Sequence, residues 1–271
     1  MEKKFEQLKK YLGDLGSVAV AFSGGVDSTF LLKVAHDVLN EKVIAVTVTS
    51  KFVPQREIAE AENFCSEEKI RQIFLPVDVL SIADIKNNPP NRCYLCKKEI
   101  FTNILRVAEE NKIAHVVEGS NKDDEGDFRP GMKAIAELKI KSPLREVDLY
   151  KNEIRALSKK LNLPTFDKPS FACLASRFVY GEEISSDKLQ MVDAAEQILL
   201  DKGFKQFRVR LHGKLARIEI LPNDFERLIK IREEISAKLK SLGFDYVTMD
   251  LQGYRTGSMN LNFGMRNNNG S

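Results

Sequence analysis

A glycine-containing loop between an apolar run and a helical pattern restricts the fold of this chain more than any other feature. Residues 18–22 form a short apolar run that is typical of a strand buried on both faces. Ser-Gly-Gly-Val-Asp-Ser follows at residues 23–28, where Asp27 and Ser28 are residue types favoured at helix N-caps. Apolar residues then recur at helical spacing: Phe30, Leu31, Val34 and Val38. The pattern predicts a strand, a tight loop and a helix, in that order.

This order of elements predicts an anion-binding site. Backbone N–H groups of the loop and the helix N-terminus would point at one spot, and glycines let a phosphate approach the backbone closely. The loop does not end in the Gly-Lys-Ser/Thr of a Walker motif, and it lacks the spaced third glycine of a dinucleotide fingerprint. The alternative is an ordinary strand-to-helix turn.

Further strand and helix patterns alternate along the first half of the chain. Apolar runs at 42–49, 72–77 and 114–118 read as strands, and 54–69 reads as a helix with Cys65 on its apolar face. We therefore interpret Cys65 as a small core residue. Alternating strands and helices predict an α/β fold with a mostly parallel sheet. Ligands of such sheets lie at the carboxyl ends of the strands, where the glycine loop is expected.

Cys93 and Cys96 form a Cys-x-x-Cys motif at the predicted start of a helix. The helix dipole and the cationic neighbours Arg92, Lys97 and Lys98 would favour their thiolate forms. A redox dithiol, half of a zinc site and part of an iron–sulfur site all remain open from this motif alone.

A polar loop follows the fourth predicted strand, at residues 118–131, and carries four acidic residues after Asn121. It is either a solvated loop or a nucleotide and Mg²⁺ site. In the second interpretation, which we favour, Asp124 and Asp127 lie near the phosphates and Arg129 balances the charge.

Cys173 lies between Pro169 and Gly181, with Lys168 and Arg177 nearby. Cationic neighbours raise the thiolate fraction of a cysteine, so a reactive thiol competes here with a buried structural one.

Residues 186–251 predict a smaller α+β domain. Helical patterns at 187–201 and 222–241 enclose a hairpin around residues 212–214, and a final strand is expected at 244–251. One face of the hairpin carries charged side chains: Arg208, Arg210, Arg217 and Glu219. Solvation of this face and contact with an anionic substrate are both open.

Composition limits the partners. The chain has 42 basic and 39 acidic residues, so its net charge of +3 gives no strong field for nucleic acid or a membrane. No apolar run reaches membrane-spanning length, and the N-terminus opens a polar amphipathic helix rather than a signal sequence. Four cysteines without an export signal indicate a reducing cytoplasm and thiol or metal chemistry.

Several motifs together carry a family resemblance. Residues 23–28 resemble the PP-loop of the N-type ATP pyrophosphatases, which cleave ATP to AMP and pyrophosphate. Gly-Ser-Asn-Lys-Asp-Asp at 119–124, Pro-Ser-Phe-Ala-Cys-Leu-Ala-Ser-Arg at 169–177 and Arg-x-His-Gly-x-x-Ala-Arg-Ile-Glu at 210–219 follow in order. Over nearly the whole chain these segments resemble the LarE family, ATP-dependent sulfur transferases of nickel-pincer cofactor biosynthesis.

The resemblance implies a fold and a domain organisation. We expect an adenine-nucleotide α-hydrolase-like, doubly wound parallel sheet with a second, smaller α+β domain. The patterns along the chain place the bounds: a PP-loop domain at 1–165, a linker with Cys173 at 166–185, the small domain at 186–255 and a disordered tail at 256–271. A cytoplasmic homo-oligomer acting on a small-molecule nucleotide is also implied.

The resemblance also implies a reaction. ATP would adenylate a carboxylate of pyridinium-3,5-biscarboxylic acid mononucleotide, and sulfur would replace AMP. Asp27 would bind Mg²⁺, and one set of residues would bind ATP: Ser23, Gly24, Gly25, Val26, Ser28, Thr49, Asp124, Asp127 and Arg129. Three arginines would bind the substrate: Arg177, Arg208 and Arg210. Acidic residues of the small domain are matches for a metal site of the family: Glu196, Glu219 and Asp224.

Family members obtain sulfur in two ways. In one, the cysteine that matches Cys173 attacks the adenylate and gives up its own sulfur. In the other, a Cys-x-x-Cys joins that cysteine to hold a 4Fe-4S cluster, whose open iron binds a sulfide that attacks the adenylate. Cys93 and Cys96 make this chain resemble the cluster-bearing branch, with Cys173 as a ligand.

Other functions remain as alternatives. Zinc would need a fourth ligand beside these three cysteines. A tRNA thiolase of the PP-loop superfamily would need a basic RNA-binding surface, which the near-neutral charge disfavours. A nucleotide- or cluster-binding regulator without catalysis would not need the complete loop with Asp27.

Overall fold

The computed structural model describes residues 1–125, 130–169 and 172–255. The chain divides into two compact units. The first unit comprises the described residues of Met1–Ile85 and Asn91–Phe171, and the second comprises those of Lys86–Pro90 and Ala172–Ser271. Asp127, Arg129 and the predicted tail at 256–271 lie outside the described residues.

The first unit is built around a parallel sheet. Its strands are β1 (Val18–Ala21), β2 (Val43–Thr49), β3 (Gln72–Pro76) and β4 (His115–Val117). They lie in the order β3-β2-β1-β4, and every neighbouring pair is parallel. The predicted parallel α/β sheet is confirmed. The strand order reverses between β1 and β4, which is the switch point at which such sheets bind ligands.

Helices cover both faces of this sheet because successive residues of its strands point to opposite sides. The helices are α1 (Glu2–Leu15), α2 (Val26–Leu39), α3 (Gln55–Glu67), α4 (Arg92–Glu110), α5 (Pro130–Glu137), α6 (Pro143–Glu146) and α7 (Lys151–Lys160). Val18 and Val20 of β1 belong to the core formed with α1, α2, α3 and α7. Ala19, between them, belongs to a second core formed with α4 and α5. The sheet is therefore doubly wound, as predicted.

Two sequence predictions in this unit have different outcomes. Cys65 is 2% exposed in the core, which confirms its structural role, and burial raises its pKa to about 12. The prediction that Asp27 and Ser28 cap α2 is wrong. Gly25 is the N-cap, with an extended backbone, and both side chains lie in the first helical turn. The helix begins earlier because Gly25 already accepts the first helical hydrogen bond, from the N–H of Thr29 at 2.9 Å.

The second unit has the predicted α+β composition. It contains α8 (Ser186–Asp201), β5 (Phe207–His212), β6 (Leu215–Ile220), α9 (Phe225–Lys230), α10 (Arg232–Ser241) and β7 (Tyr246–Met249). Strands β5 and β6 form the predicted antiparallel hairpin, and β7 pairs with β6 in parallel. The single helix predicted at 222–241 is wrong, because the backbone of Ile231 leaves the helical conformation (φ −110°, ψ 16°) and separates α9 from α10. Among the described residues, no helix combines the length and apolar character needed to cross a bilayer.

Candidate nucleotide-binding site and cysteine sites

A cavity of about 330 Å³ lies in the first unit, where β1 and β2 end. The PP-loop segment contributes Ser23, Gly25, Asp27 and Ser28 to its wall. Strand β2, α4 and the segment after β4 supply the other sides, with Thr47, Lys97, Phe101, Glu118 and Asp124 among their residues. The volume falls within the range of small-molecule sites, and the wall combines apolar side chains with a few charged ones.

Hydroxyl groups hold the glycine loop in shape. Ser23 Oγ lies 3.1 Å from Ser28 Oγ, and the Ser28 hydroxyl donates to the Gly25 carbonyl at 3.2 Å. Gly24 has a φ of +69°, in the region that favours glycine, and a Cβ there would lie 3.4 Å from Ala61 Cβ. The first turn of a helix leaves N–H groups without intrahelical partners, so this loop presents donors to an anion in the cavity.

The predicted ATP-binding residues separate into three groups. Ser23, Gly25, Asp27, Ser28 and Asp124 line the cavity. Val26 is buried in the core beneath the loop, so its backbone rather than its side chain is the part available to phosphate. The cavity wall includes Thr47 and Val48 but neither Thr49, which ends β2, nor Gly24 of the loop.

The segment after β4 passes directly against the start of α2. A Cβ on Gly119 would lie 3.0 Å from the backbone nitrogen of Ser28 and 3.3 Å from Asp27 Cβ. A side chain at Gly119 would therefore be tightly packed against the backbone at the start of α2. This approach allows Asn121 Nδ2 to donate to Asp27 Oδ1 at 3.3 Å.

Asp27 is one of the carboxylates in the cavity wall, beside Glu57, Glu118 and Asp124. Its Oδ2 contacts the ammonium of Lys151 at the start of α7. Burial raises the pKa of Asp27, Lys151 offsets part of that effect, and the Asp124 carboxylate raises the pKa further. Sequence reasoning missed Lys151, because nothing in the sequence pairs it with a residue 124 positions away.

The acidic residues fit the chemistry of Mg²⁺ bound with phosphates. Mg²⁺ in nucleotide sites uses one or two carboxylates together with phosphate oxygens and water. Asp27 and Asp124 line one cavity and supply carboxylates of that kind. Within the described ranges, no three His, Cys, Asp or Glu side chains converge as a ready metal site. The phosphates of a nucleotide would therefore have to complete the coordination.

Lys168 lies near the end of the first unit in sequence, and it stabilises the glycine loop by hydrogen bonds. Its Nζ donates to the Gly24 carbonyl at 3.1 Å, to Glu57 at 2.7 Å and to Glu60 at 2.6 Å. Arg155 donates to the carbonyl of Lys168 at 2.7 Å, which fixes the backbone at this point. Sequence analysis considered Lys168 only as a cationic neighbour of Cys173.

Cys93 and Cys96 lie in the first turns of α4, which begins at Arg92. Both are half-buried, and residues three apart share one face of a helix. An Arg92 guanidinium nitrogen lies 4.0 Å from Cys93 Sγ and donates to it. The helix N-terminus and this guanidinium both favour thiolate, the form that binds metals.

Cys173 belongs to the second unit and is exposed. The fully buried Arg177 fixes the backbone here, because its Nη1 donates to the carbonyls of Ala172 (2.6 Å) and Cys173 (3.2 Å). The same guanidinium forms an ion pair with the buried Glu196 at 2.8 and 2.9 Å. Burial lowers the pKa of Arg177 and Glu196 raises it, and the pKa lies above its ordinary value. Arg177 thus holds the cysteine segment against α8.

Three of the four charged residues on the hairpin face are buried and the Arg217 side chain is 28% exposed, so the interpretation that this face is merely solvated is wrong. Arg208 and Arg210 are both at most 5% exposed, and Glu219 is fully buried. Arg210 pairs with Glu219 at 2.9 Å, and Arg217 contacts the other oxygen of Glu219 at 3.0 Å. Burial lowers the pKa of Arg208 to about 10, and the neighbouring Arg177 lowers it too.

The Arg177–Glu196 pair gives a stability prediction. Glu196→Gln leaves the Arg177 charge buried without its carboxylate and is expected to cost about 3–5 kcal/mol of unfolding free energy. Urea denaturation followed by circular dichroism measures this. Glu234→Gln is the control, because Glu234 pairs with Lys202 and Lys238 at the surface, where solvent screens the charges, and its loss should cost far less. Equal, small losses for both variants would contradict the prediction.

Similarity to known proteins agrees with this geometry. The PP-loop domain family matches residues 1–127. LarE of Lactiplantibacillus plantarum, a pyridinium-3,5-bisthiocarboxylic acid mononucleotide synthase, is 40% identical over 250 residues, which is 92% of this chain and 91% of that protein. The chain belongs to the LarE family. This confirms the resemblance to the LarE family and the enzyme class, an ATP-dependent sulfurtransferase.

Two other relatives are similar to this chain over nearly its whole length. An uncharacterised protein of Synechocystis sp. is 38% identical over 262 residues, covering 96% of this chain and 98% of that protein. A second, from Methanocaldococcus jannaschii, is 31% identical over 257 residues, covering 94% and 98%. The similarity therefore includes both units of this LarE-family chain, not the PP-loop domain alone.

Proposed function

We propose that this chain uses ATP to adenylate a carboxylate of pyridinium-3,5-biscarboxylic acid mononucleotide and replaces AMP with sulfur, a step of nickel-pincer cofactor biosynthesis. The observation that carries the proposal is the cavity in which the PP-loop, Asp27 and Asp124 meet. The name of the L. plantarum relative supplies the substrate class. The family resemblance supports a homo-oligomer that works in the cytoplasm.

ATP would bind with its phosphates at the start of α2. The N–H groups of the loop and first turn stabilise the negative charge that develops on pyrophosphate as it leaves. Mg²⁺ bound by Asp27 and Asp124 would neutralise further phosphate charge. The apolar wall, to which Val46, Val48 and Phe101 contribute, suits the adenosine portion of the nucleotide.

Arg208 is one of the three proposed substrate-binding arginines. Burial and, to a smaller extent, Arg177 lower its pKa to about 10, whereas Glu196 and Tyr254 oppose that effect. An anionic phosphate or carboxylate of the substrate would stabilise its charged form. Arg177 and Arg210 would also fix the cysteine segment, because they donate to the carbonyls of Cys173 and Ser176.

Cysteine thiolates are the usual ligands of a 4Fe-4S cluster, so these three cysteines are chemically suited to bind one. Cys93 and Cys96 share a face at the positive end of α4, and Cys173 is exposed to supply a third thiolate. A cluster held this way would supply the sulfide that replaces AMP. If no cluster forms, the exposed thiol of Cys173 is the group that can give up sulfur.

An anaerobic turnover assay tests the proposed function. Protein, ATP, Mg²⁺ and sulfide are mixed with pyridinium-3,5-biscarboxylic acid mononucleotide, and the products are separated by mass spectrometry. We expect AMP, pyrophosphate and a thiocarboxylate in equal amounts, and no pyrophosphate when the acceptor is omitted. Pyrophosphate release that does not depend on the acceptor, or transfer of sulfur to tRNA instead, would contradict the proposal.

A further inference from the structure

Lys151 contacts the carboxylate oxygen that the proposed function assigns to Mg²⁺. Its ammonium pairs with Asp27 Oδ2, and its backbone N–H donates to Asp123 Oδ2 at 2.7 Å. The Lys151 side chain is 27% exposed and that of Asp27 is 22% exposed, so solvent reaches the pair. Asp27 lines the nucleotide cavity, and Lys151 lines a second pocket together with Asp123. The amide of Asn121 contacts the other carboxylate oxygen of Asp27.

An ammonium and a divalent cation compete for such an oxygen. Both are compact, strongly hydrated charges, and the ammonium is attached to a flexible stem that can exchange partners. Mg²⁺ loses its water reluctantly and binds proteins weakly through one or two carboxylates when no phosphate is present. A free metal ion therefore cannot readily displace Lys151 from Asp27.

The phosphates of ATP change this competition. They carry several negative charges into the cavity and give the Lys151 ammonium a stronger partner than one carboxylate. Once the ammonium moves to phosphate, Asp27 and the phosphate oxygens together form the ligand set that Mg²⁺ prefers.

We propose that Lys151 is a positioning residue that closes Asp27 to divalent cations until the phosphates of ATP attract its ammonium. The metal then enters with the nucleotide or after it. This inference rests on the proposed function, because it takes Asp27 as a metal ligand. It adds an order of binding, and a direct contact of Lys151 with the phosphates.

Mn²⁺ binding to the nucleotide-free protein tests the first part of the proposal, that Lys151 closes Asp27 to divalent cations. Free Mn²⁺ is measured by electron paramagnetic resonance at mildly alkaline pH, with wild type, Lys151→Met and Lys4→Met. Lys4 of α1 is the matched control. It forms an ion pair at 2.7 Å with Glu153, which belongs to α7 as Lys151 does, and its side chain is 28% exposed. We expect Lys151→Met to bind one Mn²⁺ at least about tenfold more tightly than the other two proteins. Adding Asp27→Asn to Lys151→Met should remove the gain.

Equal Mn²⁺ affinity in wild type and Lys151→Met would overturn the inference, and so would a gain that survives Asp27→Asn. Lys151→Gln repeats the measurement with a polar side chain, and thermal melting checks that each variant is folded. If a wild type with that equal Mn²⁺ affinity still forms the adenylate, the inference is overturned and the proposed function stands. Acceptor-independent pyrophosphate release overturns the proposed function, and the Mn²⁺ comparison is independent of that assay.

ATP binding in the presence of a chelator tests the second part of the proposal, that the Lys151 ammonium contacts the phosphates of ATP. Without metal, the ammonium of Lys151 is a cation available to the phosphates, so Lys151→Met should weaken ATP binding at least about tenfold. Lys4→Met should leave it unchanged. Unchanged ATP affinity in Lys151→Met would overturn the phosphate contact.

Discussion

Asp27→Asn is expected to lower acceptor-dependent pyrophosphate release by about 10²- to 10³-fold, the size of effect seen when one preorganised charge-stabilising group is removed. The amide has the shape of the carboxylate and can keep the contact with Asn121, which lies at 3.3 Å. It cannot bind Mg²⁺ as a carboxylate does. The measurement is a coupled pyrophosphate assay at saturating ATP.

Asp148→Asn is the matched control for this substitution. Asp148 is also an aspartate that pairs with a lysine, Lys122 at 2.7 Å, but it is 60% exposed and is not among the cavity residues. Its φ of 55° is tolerated well by asparagine. Pyrophosphate release by Asp148→Asn should match wild type. A folded Asp27→Asn enzyme with wild-type release would remove Asp27 from the mechanism.

Cys173→Ser is expected to abolish sulfur transfer, since either proposed route needs this thiol. The cluster route also predicts that Cys93→Ser and Cys96→Ser lose the brown colour that wild type acquires on anaerobic reconstitution with iron and sulfide. Cys65→Ala is the control, because Cys65 is buried in the core and should not affect cluster binding. Iron and sulfide analysis and the visible spectrum measure the outcome.

The mass of the protein after turnover distinguishes the two sulfur sources. Loss of one H₂S from the Cys173 peptide would mean that the protein gives up its own sulfur, which contradicts a cluster donor. An unchanged mass with repeated turnover supports the cluster. A colourless, zinc-loaded wild type would contradict the cluster whatever the mass.

The fold could be predicted from local patterns. The run Val18–Ala21 and its glycine loop reveal a buried strand and a helix start, because both depend on residues next to each other in sequence. The residues at which helices begin and end could not be predicted as well. The N-cap of α2 is Gly25 rather than Asp27 or Ser28, and Ile231 divides a helix that polarity and spacing present as continuous.

The site was predictable where motifs are contiguous. Ser23, Gly25, Asp27 and Ser28 line the cavity as expected, and so does Asp124 from the loop after β4. Pairing between distant residues could not be predicted. The sequence gives no sign that Lys151 contacts Asp27 or that Lys168 contacts Gly24, since those contacts depend on how helices pack on the sheet.

The buried arginines show the same limit in the second unit. Alternation along the hairpin predicted one charged face, but polarity alone suggested solvent or substrate. In the structure, Arg177 reaches Glu196 and Arg210 reaches Glu219, so these charges are neutralised within the protein. Burial without such partners would be very costly for a guanidinium.

The sequence by itself determined the order of strands and helices, the phosphate-binding loop and the family, because each follows from residues close together in the chain. Only the tertiary structure decided which charged and polar groups contact each other. Lys151 at Asp27, Lys168 at Gly24 and Arg177 at Glu196 are pairs of residues far apart in sequence. Their energies depend on distance and burial in three dimensions, which no local pattern encodes.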